Sequence, residues 1–185
     1  MQNKLGKWCE GDKVKGKRKW LSLVAAILVV TLDQLSKLWI RANLLQGESL
    51  PEAGFLRLTH VMNPGFIFGL PGNQVLLLIL PILAILLIIP FFFYYLPAHC
   101  HFSMTGLCCI CLGLILGGAV GNLIDRLRLG YVTDFIDIRL WDNFHWPAFN
   151  FADSSIVVGT CALIYALIRA GLFKEIYDYS NKSEN

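Results

Sequence analysis

The chain has 185 residues, 56% of them hydrophobic and 16% charged, with a mean hydropathy of +0.57 and a formal net charge of +3. That balance excludes an ordinary water-soluble domain and points to one compact multi-span membrane protein, since every polar stretch is too short to fold as a second unit. The positive excess sits in flanks that anionic lipid would attract, and no basic and aromatic interleaving suited to base stacking occurs, so nucleic acid is not an expected partner.

Residues 1–19 form a basic tail holding seven Lys and Arg (Lys4, Lys7, Lys13, Lys15, Lys17, Arg18 and Lys19). Four apolar stretches follow, and each is predicted to span the membrane: Trp20 to about Trp39, Val75 to Leu96, Ser103 to Ile124, and Ser154 to about Leu172. A helix of that length crosses roughly 30 Å of hydrocarbon at about 1.5 Å per residue. The first resembles the apolar part of a signal peptide, but no small-x-small cleavage site follows it and Asp33 interrupts it, so it is read as a span. The domain plan is therefore a tail at 1–19, a four-span membrane domain at 20–173 and a polar tail at 174–185. With both termini inside, ten Lys and Arg lie on the cytoplasmic side and six outside, as the retention of basic residues requires.

The two outward segments carry the non-helical character. Between Asn43 and Asn73, "GFLRLTHVMNPGFIFGL" alternates Phe55, Arg57, Thr59 and Val61 against Leu56, Leu58, His60 and Met62, a period of two that predicts a strand pair or curved sheet on the membrane surface. Between Gly130 and Asn150 the chain is dense in Trp and Phe, which predicts a segment resting in the headgroup region with Trp141 and Trp146 as anchors. The six cysteines show neither metal-ligand spacing nor an outward-facing pair and are read as small apolar packing residues. His99-Cys100-His101, on the short inner turn, is read as an incidental polar turn in preference to a metal site.

An ionisable group inside or beside a span costs roughly 2.5 to 3.5 kcal/mol on insertion scales, so each one is a functional candidate. Asp33 and Lys37 lie one helical turn apart near the outer end of the first span and can pair; a structural ion pair and a functional one are both open. Asn122 and Asp125 share a helix face at the end of the third span, where Arg126 can reach a carboxylate. Asp134 lies beyond that span and Asp153 just before the fourth. If those spans are antiparallel neighbours, the two carboxylates arrive at one depth. A close carboxylate pair at a low-dielectric boundary keeps one proton near neutral pH, which suits amide hydrolysis by an ionised base and a protonated acid. A structural polar cluster and a proton relay are equally open on spacing alone.

Ser36 beside Lys37 is a poor Ser–Lys pair, because adjacent helix positions point about 100° apart. No HExxH occurs, and the four histidines are scattered. The leading non-enzyme reading is a small proton- or ion-coupled transporter with Asp33, Lys37, Asp125 and Asp134 as its relay. Against it, the second span and the inner halves of the first and third hold no Asp, Glu, Lys or Arg, and the inner half of the fourth holds Arg169 alone, near its end.

Five segments, in order along the chain, resemble the lipoprotein signal peptidase (bacterial signal peptidase II) family. "DQLSK" at 33–37 is similar to D-x-x-S-K, and "NPGFIFG" at 63–69 to N-x-G-x-x-F. "GNLIDRLRLGYVTDFID" at 121–137 is similar to G-N-x-x-D-R with the following V-x-D-F, and "FNFAD" at 149–153 to F-N-x-A-D. The resemblance implies a mainly α membrane protein with four transmembrane helices, a small extracytoplasmic β platform and a covering loop. It implies Asp134 and Asp153 as a catalytic dyad, with Asn122, Asp125, Arg126 and Asn150 positioning them. Asp33 and Lys37 would support the site, and Asn63 and Gly65 would contact substrate. The implied activity is removal of the signal peptide from a diacylglyceryl-modified prolipoprotein, just before the lipidated cysteine, at the outer face of the bacterial cytoplasmic (inner) membrane. Implied partners are that substrate, membrane lipid and a globomycin-like inhibitor, with no metal or organic cofactor. The chain departs from the pattern in its long basic tail and in the bulk of Pro64, Phe66 and Ile67, which bear on lipid or peptide selectivity.

Overall fold

The computed structural model describes residues 16–65, 74–90, 106–141 and 144–169. Helix α1 spans Gly16–Asn43, and its last turn carries Arg41, a cation at the end where a helix favours positive charge. Helix α2 spans Gln74–Pro90 and contains no charged residue. Helix α3 runs from Gly106 to Leu129 and helix α4 from Phe151 to Arg169. Among the described residues, α1 over Trp20–Asn43, α3 and α4 are long and apolar enough to cross a membrane. The remainder of the second expected span, 91–96, lies outside the described residues, as do the His99-Cys100-His101 turn and the chain ends at 1–15 and 170–185.

The helices overrun the apolar stretches that announce them. Helix α1 passes Trp39 and reaches Asn43, α3 passes Ile124 and reaches Leu129, and α4 begins three residues before Ser154. At the end of α3 the Gly130 N–H closes on Arg126 O at 3.1 Å, and Gly130 takes φ +79, a left-handed value that favours glycine. Asp153, expected just outside the fourth span, sits in the first turn of α4.

Helix α3 packs between α1 and α4. A Cβ on Gly117 would lie 2.8 Å from Ala26 O of α1, so the two backbones meet where glycine allows it. Ser22 Oγ donates to Cys109 O across the same seam at 2.7 Å. Toward the other end of α3, Cys108, Cys109, Cys111 and Leu112 form a buried cluster with Leu163 of α4, against which Ile88 of α2 packs. Those three cysteines are buried. Leu23, Ile27, Leu86 and Val157 are exposed on the helix surfaces, as a bundle facing hydrocarbon requires.

Four antiparallel strands cap one end of the bundle: β1 (Ser49–Leu50), β2 (Leu56–Asn63), β3 (Val132–Trp141) and β4 (Phe144–Phe149), ordered β1-β2-β3-β4. The alternation at 55–62 becomes β2. The Trp-rich stretch at 130–150 supplies two further strands: its β-branched and aromatic residues suit a pleated surface once β2 offers an edge. Register pairs Val61 with Asp134 and Asn63 with Val132, after an irregularity between Leu58 and Val61. Ile40 of α1 and Leu44 just after it bury Phe135 of β3, which fixes the sheet on the helix ends. Trp141 is 66% and Trp146 51% exposed, and Trp141 stacks on Phe144 with ring centroids 4.9 Å apart.

Candidate active site

Asp33, Lys37 and Arg41 recur every fourth residue on α1, so one face of that helix presents an acid and two bases to α3 and β3. The Lys37 ammonium is fully buried and lies 2.8 Å from Asp33 Oδ2, 3.2 Å from Asp125 Oδ2 and 2.9 Å from Asn122 Oδ1. Three acceptors thus use all three of its protons. Asp33 Oδ1 in turn accepts the Ala152 N–H at 3.0 Å, which satisfies one of the unpaired donors at the start of α4. Gln34 Nε2 reaches Asp33 Oδ2 at 3.2 Å, Asp125 Oδ1 at 3.2 Å and Gly121 O at 3.1 Å. Ser36 Oγ donates to Asp33 O at 2.8 Å, so its hydroxyl serves the helix backbone.

Asp125 connects this face to the strand that follows α3. Its Oδ2 accepts the Thr133 N–H at 3.0 Å, and its Oδ1 lies 3.6 Å from Arg41 Nη1. Arg41 Nη1 also donates to Thr133 Oγ1 at 2.8 Å. Two cations therefore face Asp33 and Asp125, and the group of four is charge-balanced inside the protein.

Asn150 precedes α4 as its N-cap. Its Oδ1 accepts the Asp153 N–H at 2.9 Å, while Asp153 Oδ2 accepts the Asn150 N–H at 3.2 Å, a reciprocal capping box. With Oδ1 committed, Nδ2 points the other way: it donates to Asp134 Oδ1 at 2.7 Å and to Asn122 Oδ1 at 3.1 Å. Asn122 Nδ2 then donates to Asp153 Oδ1 at 2.7 Å. One asparagine thus holds both Asp134 and Asp153, and a second closes the circuit. From β2, Asn63 Nδ2 donates to Asp134 Oδ2 at 2.9 Å, while its Oδ1 accepts the Gly65 N–H at 3.0 Å. The rest of that glycine's motif, 66–69, lies outside the described residues.

Asp134 is 2% exposed, and its carboxyl is pushed up from 3.8 to about 7. Burial is the main cause; the Asn63 hydrogen bond opposes it, the charge of Asp153 adds to it, and Asn150 and Lys37 oppose it. Asp153 occupies the first turn of α4, where a helix favours negative charge. Arg126 behaves differently from the sequence expectation. Among the described residues it makes no ion pair within 4.0 Å, and its guanidinium lies instead in the combined field of Asp153, Asp134 and Asp125. Nine of the ten expected residues join one hydrogen-bonded set, directly or through Asn63, and Arg126 borders it.

Gln34, Arg41 and Thr133 belong to this set without standing out in the sequence. Arg41 had a signal, the continuation of the Asp33 and Lys37 spacing by one more turn; Gln34 and Thr133 had none, because their partners are distant in the chain. Buried carboxylates bridged by amides at the end of a helix bundle, open toward a sheet, are equipped for proton transfer to and from a bound polar substrate.

The family model described as signal peptidase (SPase) II matches residues 25–169. The lipoprotein signal peptidase of Moorella thermoacetica is 45% identical over 147 residues, 79% of this chain and 91% of that protein. That of Halothermothrix orenii is 38% identical over 146 residues, covering 78% and 92%. Two solved structures of a bacterial membrane enzyme superpose with TM-scores of 0.69 and 0.67, each at 32% identity; the first alignment covers 80% of this chain and 87% of the other, the second 79% and 91%. A multi-pass membrane chain matched over nearly all of its helices and its sheet belongs to the signal peptidase II family.

Proposed function

We propose that this protein is an aspartic endopeptidase that removes the signal peptide from diacylglyceryl-modified prolipoproteins, cutting just before the lipidated cysteine. The observation that carries the reading is the Asn150 bridge: its side-chain amide holds Asp134 and its backbone N–H holds Asp153. Asp134 keeps its proton to about pH 7 and serves as the acid that polarises the scissile carbonyl. Asp153, in the anion-favouring first turn of α4, serves as the base that takes a proton from water. The attacking oxygen bonds to the carbonyl carbon, the peptide C–N bond breaks, and the amine of the cysteine leaves with a proton returned by the pair.

The substrate's acyl chains keep it in the bilayer, which agrees with a site at the ends of the membrane helices, beneath the sheet. Charge retention supports cytoplasmic termini and a site at the outer face of the cytoplasmic membrane. Asn63 and Gly65, at the β2 end nearest Asp134, would contact the peptide, and a globomycin-like inhibitor would occupy the same space.

The test is cleavage of a diacylglyceryl-cysteine lipobox peptide by the purified protein in detergent, against Asp134→Asn and Asp153→Asn. Wild type should cut before the cysteine, and each variant should lose at least about a hundredfold in kcat while remaining folded. A folded wild type that leaves the peptide intact, while a control peptidase cuts it, removes the reading. Cation-dependent flux in liposomes would then favour the transporter.

A further inference from the structure

The residue before Asp134 is held from three directions. Thr133 gives its N–H to Asp125 Oδ2 at 3.0 Å, accepts Arg41 Nη1 on its hydroxyl at 2.8 Å, and accepts Asn150 Nδ2 on its carbonyl at 3.4 Å. Its accessibility is 0%. Asn150 already belongs to the circuit around the two carboxyls, and Asp125 is linked to it through Lys37, which also reaches Asn122. Arg41 stands outside that circuit, and among the described residues it contacts Asp125 and Thr133.

Alternation along β3 turns Thr133 toward α1 and Asp134 toward the opposite face. A single planar peptide joins them, so a shift of Thr133 passes to Asp134 with little loss. Asn63 and Asn150 hold the carboxyl end of Asp134, but neither fixes how far β3 stands from α1. Arg41 spans from the last turn of α1 to the first residues of β3 and adds a directed polar tie to the packing of Phe135 on Ile40 and Leu44.

We propose that Arg41 is a positioning residue which, by holding the Thr133 hydroxyl, sets where the Asp134 carboxyl lies relative to Asp153. The proposal rests on the aspartic peptidase reading. Arg41 makes both contacts through Nη1, whose N–H directions the planar guanidinium fixes; lysine, a flexible ammonium, does not fix them. Valine at 133 keeps the shape of threonine and removes the acceptor.

Steady-state kcat and KM on the lipobox peptide test this with Thr133→Val, Thr133→Ser, Arg41→Met and the Thr133→Val/Arg41→Met double variant. Misplacement of a reacting group by about 1 Å can cost a hundredfold, so a partial displacement should lower kcat about tenfold in Thr133→Val and in Arg41→Met, with KM within about twofold. The double variant should be no slower than either single, because both remove one link. Thr133→Ser, which keeps the hydroxyl, should recover most of the rate. If Arg41→Met does not accumulate as folded protein, Arg41→Lys is expected to lose kcat in the same way. Wild-type kcat in the single variants, losses that multiply in the double, or a change confined to KM would each overturn the proposal. Those outcomes presuppose cleavage by wild type; a wild type that does not cleave overturns the peptidase reading itself.

Discussion

Asp134 has a consequence for stability as well as for chemistry. Its folded value of about 7 lies above the ordinary 3.8, so the native protein keeps a proton that the unfolded chain releases. The stabilisation from this group is fully present below roughly pH 4 and is lost as pH rises through about 7, with a slope of at most about 1.4 kcal/mol per pH unit. Thermal unfolding in detergent should show wild type losing Tm relative to Asp134→Asn between those limits; parallel curves would mean that the carboxyl titrates normally. Asn150 separates stability from function in another way. Asn150→Asp keeps an N-cap acceptor but replaces the donor to Asp134 with a third carboxylate, so it should cost less than about 1 kcal/mol of helix capping while abolishing most turnover. Asn150→Ala removes both roles, and should lower stability by about 1 kcal/mol and activity together. Unfolding and kcat measured on the same preparations decide this: equal activity in Asn150→Asp and wild type would remove the bridge from the mechanism.

Helix α3 shows how the elements translate sequence into a site. Glycine at 117 lets α1 approach until a Cβ would meet Ala26 O at 2.8 Å and Val29 Cβ at 2.8 Å. Gly117→Val should therefore push α1 away and destabilise the protein by about 1 to 3 kcal/mol, with a loss of activity because Lys37 withdraws from Asn122. Gly130→Ala meets nothing within 4 Å and should cost about 1 to 2 kcal/mol through its positive φ alone. Chemical unfolding of the two variants checks the contrast. The apolar body of α3 was legible from hydropathy, and its end was not. Asp125 looks like the first residue in water, yet it is 1% exposed because its oxygens accept from Lys37, Gln34 and the Thr133 N–H. Asp153 was placed outside its helix for the same reason, since a charged N3 residue held by a cap resembles a loop residue. The alternating β2 was legible, while β3 and β4 were hidden by their need for a distant partner strand and by Pro147, which counts against a strand.

Across the whole molecule, one buried cation holds the converging pieces. Lys37 binds Asp33, which caps α4 through Ala152, and Asp125, which anchors β3 through Thr133. The Asp33 and Lys37 pair could be read from its four-residue spacing. The extension to Asn122 and Asp125 could not, because it depends on α3 lying against α1 at one particular height. These residues set the relative heights of α1, α3, α4 and β3, and the two carboxyls inherit those heights. Lys37→Met tests the claim. It preserves the length of the side chain but leaves Asp33 and Asp125 buried without their shared ammonium; Arg41 lies 3.6 Å from Asp125, and Arg126 acts on Asp125 without an ion pair within 4.0 Å among the described residues. Breaking a buried pair in this way costs about 3 to 5 kcal/mol. Asp33→Asn added to Lys37→Met should recover part of that loss, because it removes one unpaired charge while keeping an oxygen for the Ala152 N–H. Unfolding of wild type, the single variant and the double in one detergent gives the comparison. If the double variant is no more stable than Lys37→Met, the loss lies in the packing of the lysine stem, and the electrostatic account of how the helix ends are joined does not hold.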